Sequence, residues 1–345
     1  MKLKAIHTYV QAREGFEFNR YVAHNMLLSV LYAQMQYDGI ELYTDEKTAK
    51  IVKEIGIPYN KIITKPFDNF ESNTFSIPKL VTYSLQKEPY VHLDVDTFVI
   101  KDIYTPETIK FFYAHPDITM EDKDDFQYGL NMYNTYLKNT YQIQDEIPDF
   151  LKKHITFKDI PNMNIFGTRS PDVVAKAAKL CLEIYEKNRE FFDSEFYNAC
   201  IIEQLLMPAA IKYYNEEHYE NFYLQKPEDV FRIKHGKDDN NKCTYPLEIT
   251  FSGERLLISV EPFLYQFVNY DYRSIVHLGG YKNMDVIQFL VKETIMERFG
   301  CWDKIKNIIK VFDEKMPADD ISDRYYVHML SSITTRIKEF KSSLI

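Results

Sequence analysis

Two aspartates one residue apart, Asp94 and Asp96, follow an apolar run in the stretch Pro89–Asp102, PYVHLDVDTFVIKD. In a fully extended segment residues two apart share a side, so both carboxylates would face one way. Anions so placed repel each other unless a cation sits between them. Hard divalent cations such as Mg²⁺ and Mn²⁺ take oxygen ligands of this kind, often one or two carboxylates plus substrate phosphates. Two solvated acids at a strand end are the plain alternative, since a bare Asp-x-Asp arises by chance in many chains. The apolar lead-in, the following Phe98-Val99-Ile100 and a third acid at Asp102 make the motif better than a chance one and leave both readings open for the rest of the chain to decide.

A second group with usable chemistry stands some 180 residues downstream. His277 closes the apolar segment Ser274–Gly280 (SIVHLGG) and is followed by Gly279, Gly280 and Lys282. A neutral imidazole is a serviceable Mn²⁺ ligand. Glycines beside it let backbone N–H groups approach a phosphate, and a lysine adds a positive point charge for a diphosphate. The plain alternative is a structural histidine before a Gly-Gly turn.

These residues need elements to hold them. Leu3–Val10 reads as a strand, Phe18–Gln36 as a helix and Ile40–Thr44 as a second strand after Asp38-Gly39. Asp45–Ile55 is a second helix, with Asp45 as N-cap and Gly56 as stop. Lys61–Thr64 is strand-like, and Ser76–Gln86 is a third helix with Pro78 in its first turn. With the Asp94 strand this is a β-α-β-α-β-α-β series over roughly the first hundred residues. Such a series argues for a doubly wound, mostly parallel α/β sheet flanked by helices, in which ligands gather outside the carboxyl ends of the strands. Asp94 and Asp96 sit at one of those ends.

Further on, Ile109–Ala114 reads as a buried segment, and 116–161 as a solvated loop with a helix or two. An acceptor-binding insertion or lid is the functional alternative for 116–161. Ser170–Asn188 and Phe196–Ile211 read as helices, the second carrying Glu203 and Gln204. Gly236–Pro246 is hydrophilic and reads as a mobile loop. Three helical patterns close the chain, near Asp285–Phe299, Asp303–Phe312 and Ile321–Leu344. The last has an a/d-like seam, for packing back on the domain or for a homodimer or peripheral surface.

Composition narrows the classes. The 345 residues are 45% hydrophobic and 27% charged, as in a soluble globular protein. With 27 Tyr and 24 Phe but only 10 Gly, stacking surfaces are plentiful and glycine-rich phosphate loops nearly excluded. A net charge of -9 argues against nucleic acid as partner, though not against a single nucleotide screened by a metal. The four scattered cysteines form no CxxC pair and suggest a reducing compartment. With no signal peptide or apolar run of about 18 residues read from the sequence, the expectation is a cytoplasmic protein with no membrane span.

Taken together, the Leu-Asp-x-Asp strand and the distant His-x-x-Gly…Lys element resemble GT-A-fold glycosyltransferases, of the glycosyltransferase family 8 type. The resemblance runs over most of 1–282 and rests on about twenty residues. It implies a GT-A-like (Rossmann-like) catalytic domain over 1–282 and a helical C-terminal extension over 283–345. It further implies a metal-dependent transfer of a sugar from a nucleotide-diphosphate donor, usually a UDP-sugar, with retention, as in polysaccharide biosynthesis. Asp94, Asp96 and His277 would hold Mn²⁺ or Mg²⁺, and Gly280 and Lys282 would touch the diphosphate. Asn162 and Asn164, in the segment Asn162-Met163-Asn164-Ile165, would lie near sugar and acceptor, and the pair Glu203-Gln204 beneath the anomeric carbon. Lys79, on the helix before the motif, would face the donor, and Thr8 and Tyr9 would contact base or ribose. The acceptor would be a saccharide, free or lipid-linked. Lys282 falls five residues after His277 where the family usually has six, Asn164 replaces the usual glycine, and Glu203 the usual aspartate.

Other classes fit less well. An Asp-nucleophile phosphatase or phosphotransferase wants threonine where Phe98 stands, and wants its motif near the N-terminus. A nucleotidyltransferase wants a glycine-rich loop after the first strand, which offers only Gly15. A catalytically silent nucleotide-sugar or carbohydrate-binding module would use the same aromatic-rich cleft without needing Asp94.

Overall fold

The computed structural model describes residues 3–11, 18–118, 138, 147–155, 160–215, 222–224, 232–237, 243–251, 254–258, 275–278 and 285–315, apart from the single positions 69, 71, 73, 102, 104, 195 and 301. The chain opens β1 (Lys4–Tyr9), α1 (Arg20–Gln36), β2 (Ile40–Thr44), α2 (Glu46–Ile55), β3 (Lys61–Ile63), α3 (Ile77–Ser84), β4 (Tyr90–Leu93). Local chemistry sets these bounds. Asn19 caps α1 by accepting from Val22 N at 3.0 Å, and Asp45 caps α2 by accepting from Thr48 N at 2.8 Å. Gly56 ends α2 at φ 81°, a left-handed conformation glycine adopts without a Cβ penalty. Pro78 lies in the first turn of α3, where its missing N–H costs nothing.

The strands that follow are β5 (Thr97–Val99), β6 (Phe111–Tyr113), β7 (Pro116–Ile118), β8 (Ile160–Pro161) and β9 (Ile165–Thr168), with the short helix α4 (Asp149–Lys152) before β8. Then come α5 (Pro171–Lys187), α6 (Arg189–Ser194), α7 (Phe196–Cys200), a π-helical turn at Ile201–Leu206, and α8 (Met207–Tyr214). Strands β10 (Phe222–Tyr223), β11 (Arg232–Lys237), β12 (Cys243–Phe251), β13 (Glu254–Ile258) and β14 (Ile275–His277) lead to helices α9 (Asp285–Phe299) and α10 (Asp303–Lys315).

Seven strands form the central sheet in the order β10-β6-β9-β4-β1-β2-β3. It is mostly parallel; β9 runs against both of its neighbours, β4 and β6. Strand alternation splits the buried residues into two cores. Ala5, Leu42, Val91, Leu93, Phe112 and Ile165 pack with α1, α2, α9 and α10 on one face. Ile6, Tyr43, Tyr90, Phe111, Tyr113 and Phe166 pack with α3, α5 and α8 on the other. Both faces are therefore covered, and the α/β layering read from the sequence is what the chain builds. From β1 the chain moves outward through β2 and β3, then returns to place β4 on the other side of β1. Their carboxyl ends flank the point where strand order reverses, the crevice in which such sheets hold ligands.

Two expectations need correction. Gly236–Pro246 is not simply a loop. Backbone strands β11 and β12 run to Lys237 and resume at Cys243, with β12 also paired to β13 in a separate three-stranded antiparallel sheet. The ladder skips between His235↔Leu247 and Gly236↔Thr244, so Tyr245 and Pro246 fall in a bulge, a place where a proline's missing donor is tolerated. The Asp94–Thr97 segment is not extended either. Thr97 N donates to Asp94 O at 2.9 Å, so the chain turns tightly between β4 and β5. The helix expected over Ile321–Leu344 lies outside the described residues, as does most of 116–161.

Candidate active site

The tight turn presents both acids at the carboxyl end of β4. Asp94 N donates to Asn164 O at 2.8 Å, which ties the turn to the segment entering β9. The partner histidine arrives on β14, which pairs antiparallel with β5 so that His277 lies opposite Thr97. Leu278 N donates to Asp96 O at 3.1 Å and fixes that register beside the acid. His277 Nε2 comes within 3.7 Å of Asp96 Oδ1. Ligand atoms from Asp94, Asp96 and His277 all lie within 4.8 Å of one another. Residues some 180 positions apart in sequence thus share one small volume.

Behind these three stands a buried ion pair chain. Lys79 Nζ, on α3, is 2.6 Å from Asp94 Oδ1 and 2.9 Å from Glu203 Oε1. The three side chains are 11%, 22% and 4% exposed, so Lys79 and Glu203 are almost withdrawn from water while Asp94 keeps one side open. Burial works against charge on Lys79, but Asp94 and Glu203 together outweigh it and hold its pKa above the usual lysine value. Coulomb attraction of roughly 6 kcal/mol per contact, at an effective dielectric of about 20, is the right size to offset a desolvation cost of several kcal/mol. Glu203 sits in the π-helical turn, a departure from regular helix that recurs at functional sites.

Among the described residues gathered here, three carboxylates (Asp94, Asp96, Glu203) face one ammonium (Lys79). Two carboxylate oxygens and an imidazole nitrogen are ordinary donors for Mn²⁺, and Asp96 is only 2% exposed. The donor set and its spacing fit one divalent cation.

Other sequence-derived candidates distribute as follows. Asn162 Oδ1 accepts from Asn164 N at 2.9 Å, and the buried Asn164 amide makes no side-chain hydrogen bond. Glu203 is the member of the Glu203-Gln204 pair that meets Lys79. Thr8 lies at the end of β1, but its hydroxyl donates to Thr82 Oγ1 at 3.0 Å and meets His92 Nε2 at 3.2 Å. Tyr9 packs edge-on against Phe18, and burial with the nearby Asp45 charge raises its hydroxyl pKa. Gly280 and Lys282 lie outside the described residues.

Two residues escaped the sequence reading. His92 is fully buried on β4, its Nδ1 4.0 Å from Asp94 Oδ1. Burial, then the charge of Lys79, hold its pKa well below the ordinary value. His7, on β1, is also fully buried and is lowered to about 3 by burial, with Asp96 pulling partly the other way. Ser29 Oγ donates to Thr97 O at 2.6 Å, so the His7 Nε2–H donates to Ser29 Oγ at 3.0 Å. His7 Nδ1 is then left to accept from Tyr59 OH at 2.7 Å. This neutral imidazole props the turn that carries Asp96. The signal was a histidine inside each of two apolar strands, His7 in KAIHTY and His92 in YVHL.

Residues 4–248 match the model of a family described as "Family of unknown function (DUF6734)". The chain belongs to this family. The match to DUF6734 spans β1 through most of β12, and so includes Asp94, Asp96, Lys79 and Glu203 but not His277. No curated protein matches the chain. Among solved structures, the chain is similar to the apo bifunctional glycosyltransferase WbbM at 10% identity and TM-score 0.41, covering 90% of this chain and 51% of that one. It is similar to the galactosyltransferase LgtC in complex with donor and acceptor sugar analogues at 12% identity and TM-score 0.33, covering 59% and 71%. Mouse xyloside xylosyltransferase 1, apo form, is similar at 11% identity and TM-score 0.29, covering 59% and 82%. Among the described residues no helix is long and apolar enough to cross a membrane.

Proposed function

We propose that this DUF6734 protein is a metal-dependent glycosyltransferase of the GT-A kind, moving a sugar from a nucleotide-diphosphate donor, a UDP-sugar by resemblance, to a saccharide or lipid-linked saccharide acceptor. The observation that carries the reading is the convergence of Asp94, Asp96 and His277 ligand atoms within 4.8 Å at the strand-order reversal. Mn²⁺ or Mg²⁺ held there would supply Lewis-acid stabilisation of the departing diphosphate.

The chain's own groups account for the rest. Transfer breaks the bond from the anomeric carbon to the diphosphate oxygen and forms one to an acceptor oxygen, whose proton leaves with the nucleotide product. Asp94, Asp96 and His277 are the cation ligands. By resemblance, Gly280 and Lys282 meet the phosphates, and Asn162 and Asn164 border the sugar. The buried Asn164 amide has donors and an acceptor not committed to other protein side chains, as a sugar hydroxyl contact requires. Glu203, paired with Lys79 at 2.9 Å, faces the oxocarbenium-like charge that develops as the leaving group departs. Transfer proceeds with retention and without an obligatory covalent glycosyl-enzyme; trapping a sugar on Glu203 overturns that last statement.

The test is thermal stabilisation by UDP-, GDP- and other nucleotide sugars, with and without Mn²⁺. A metal-dependent rise in Tm that vanishes in both Asp96→Ala and His277→Ala supports the reading. No shift with any nucleotide sugar refutes it.

A further inference from the structure

Lys79 poses a problem that the proposed cation site does not itself resolve. Its ammonium is already 2.6 Å from Asp94 Oδ1, and Asp94 is one of the three groups that would hold the divalent ion. A cation coordinated by Asp94 lies about 2 Å from its carboxylate oxygen. Two like-charged centres would then share one carboxylate. Glu203 provides somewhere else for the ammonium to go: its Oε1 is already 2.9 Å from the same Nζ, and the side chain is almost wholly buried. The lysine therefore has two seats, and only one of them belongs to the metal trio.

We propose that Lys79 is a resident counter-cation that shares Asp94 in the metal-free protein and withdraws to Glu203 when a divalent cation binds. Resting on the cation-site reading above, this makes metal occupancy and the Lys79–Glu203 pair a single coupled device. Without metal, Lys79 bridges Asp94 and Glu203 and limits the repulsion among the carboxylates. With metal, the Lys79 charge is concentrated on Glu203, the carboxylate placed under the reacting sugar. Lys79 here is a positioning residue.

The alternatives make different predictions. If Lys79 and Glu203 form only a structural pair, losing either one loosens the site and weakens the cation in both cases. If they act only as fixed charges, Lys79→Met tightens the cation, Glu203→Gln weakens it, and the double variant returns near the parent. Under withdrawal, Glu203 acts on the cation only through Lys79, so removing Glu203 has no effect once Lys79 is gone.

The experiment is Mn²⁺ titration by calorimetry, with no nucleotide, of the full chain and of Lys79→Met, Glu203→Gln and the double variant. The double variant removes the Lys79 and Glu203 charges together and so guards against a fold lost to the removal of one alone. Expected are about tenfold tighter binding for Lys79→Met, about tenfold weaker for Glu203→Gln, and a double variant that matches Lys79→Met. Tenfold is about 1.4 kcal/mol. A double variant back at parental affinity, or a Glu203→Gln variant at parental affinity, overturns the proposal while leaving the cation site standing. Absence of Mn²⁺ binding to the parent overturns both.

Discussion

Acid should destabilise this protein well before its carboxylates titrate, because two neutral histidines support the candidate site from below. His7 is fully buried, with its folded pKa lowered to about 3 from an ordinary value of 6.5. Between those values the unfolded chain binds a proton there and the folded chain does not. Stability therefore rises with pH across this window and is lost on acidification below about 6.5. From pH 7 to pH 5 the unfolded His7 gains most of a proton, a cost of about 2 kcal/mol to the folded state. His92, lowered in the same direction by burial and by the Lys79 charge, adds to it. Against a total stability of roughly 5–15 kcal/mol this is a large fraction. The assay is urea unfolding at pH 7 and pH 5 for the parent and for His7→Asn. The variant begins less stable, since it loses the contacts to Tyr59 and Ser29, but its pH slope should be shallower by about 2 kcal/mol over the interval. Equal slopes would refute the account of His7 as a neutral, proton-excluding prop.

Three further outcomes follow from other parts of the chain. Gly167→Ala should lower stability by about 1–3 kcal/mol, read as a drop in Tm, because a Cβ there would fall inside the ring of Phe112 on β6. Asp45→Ala should cost about 1–2 kcal/mol in urea unfolding, since its carboxylate accepts from Thr48 N at 2.8 Å and from Gln11 N at 3.0 Å, capping α2 and pinning the end of β1. Asp96→Asn should abolish any Mn²⁺-dependent rise in Tm, because it replaces a buried carboxylate of the trio with a neutral amide. An undiminished Mn²⁺-dependent shift would show that Asp96 does not hold the cation.

The sheet was legible because its local signals agree. Asp45 and Gly56 bound α2 through their own side chain and backbone, and the strands from β1 to β4 are apolar runs between helical patterns. Asp94, Asp96 and His277 were legible as candidate residues, but the turn that brings them together was not. The chain brings the acids together through a tight turn instead of strand alternation, and no local preference in DVDT distinguishes the two. The β11–β12 pairing was missed because Gly236 and Pro246 read as breakers until the bulge that accommodates the proline is seen. His7 and His92 were hidden for a different reason. A neutral histidine behaves in a strand pattern much like any other buried residue, and only the contacts to Ser29, Tyr59 and Thr8 show why polar groups lie there.

The way the turn is held bears on why the acids can converge at all. Asp96 is buried, so bending the chain to point it at Asp94 is costly unless backbone contacts hold the bend. Three do: Asp94 N to Asn164 O, Leu278 N to Asp96 O, and Ser29 Oγ to Thr97 O. They come from the entry to β9, from β14 and from α1, elements far apart in sequence. The acid-bearing turn is consequently complete only when the fold is, and the β14 contact also delivers His277. A substitution that frees β14 from β5 would remove one proposed ligand and one support of the other two in the same step. It should therefore cost cation affinity more than His277→Ala alone, which deletes the imidazole but leaves the Leu278–Asp96 bond in place.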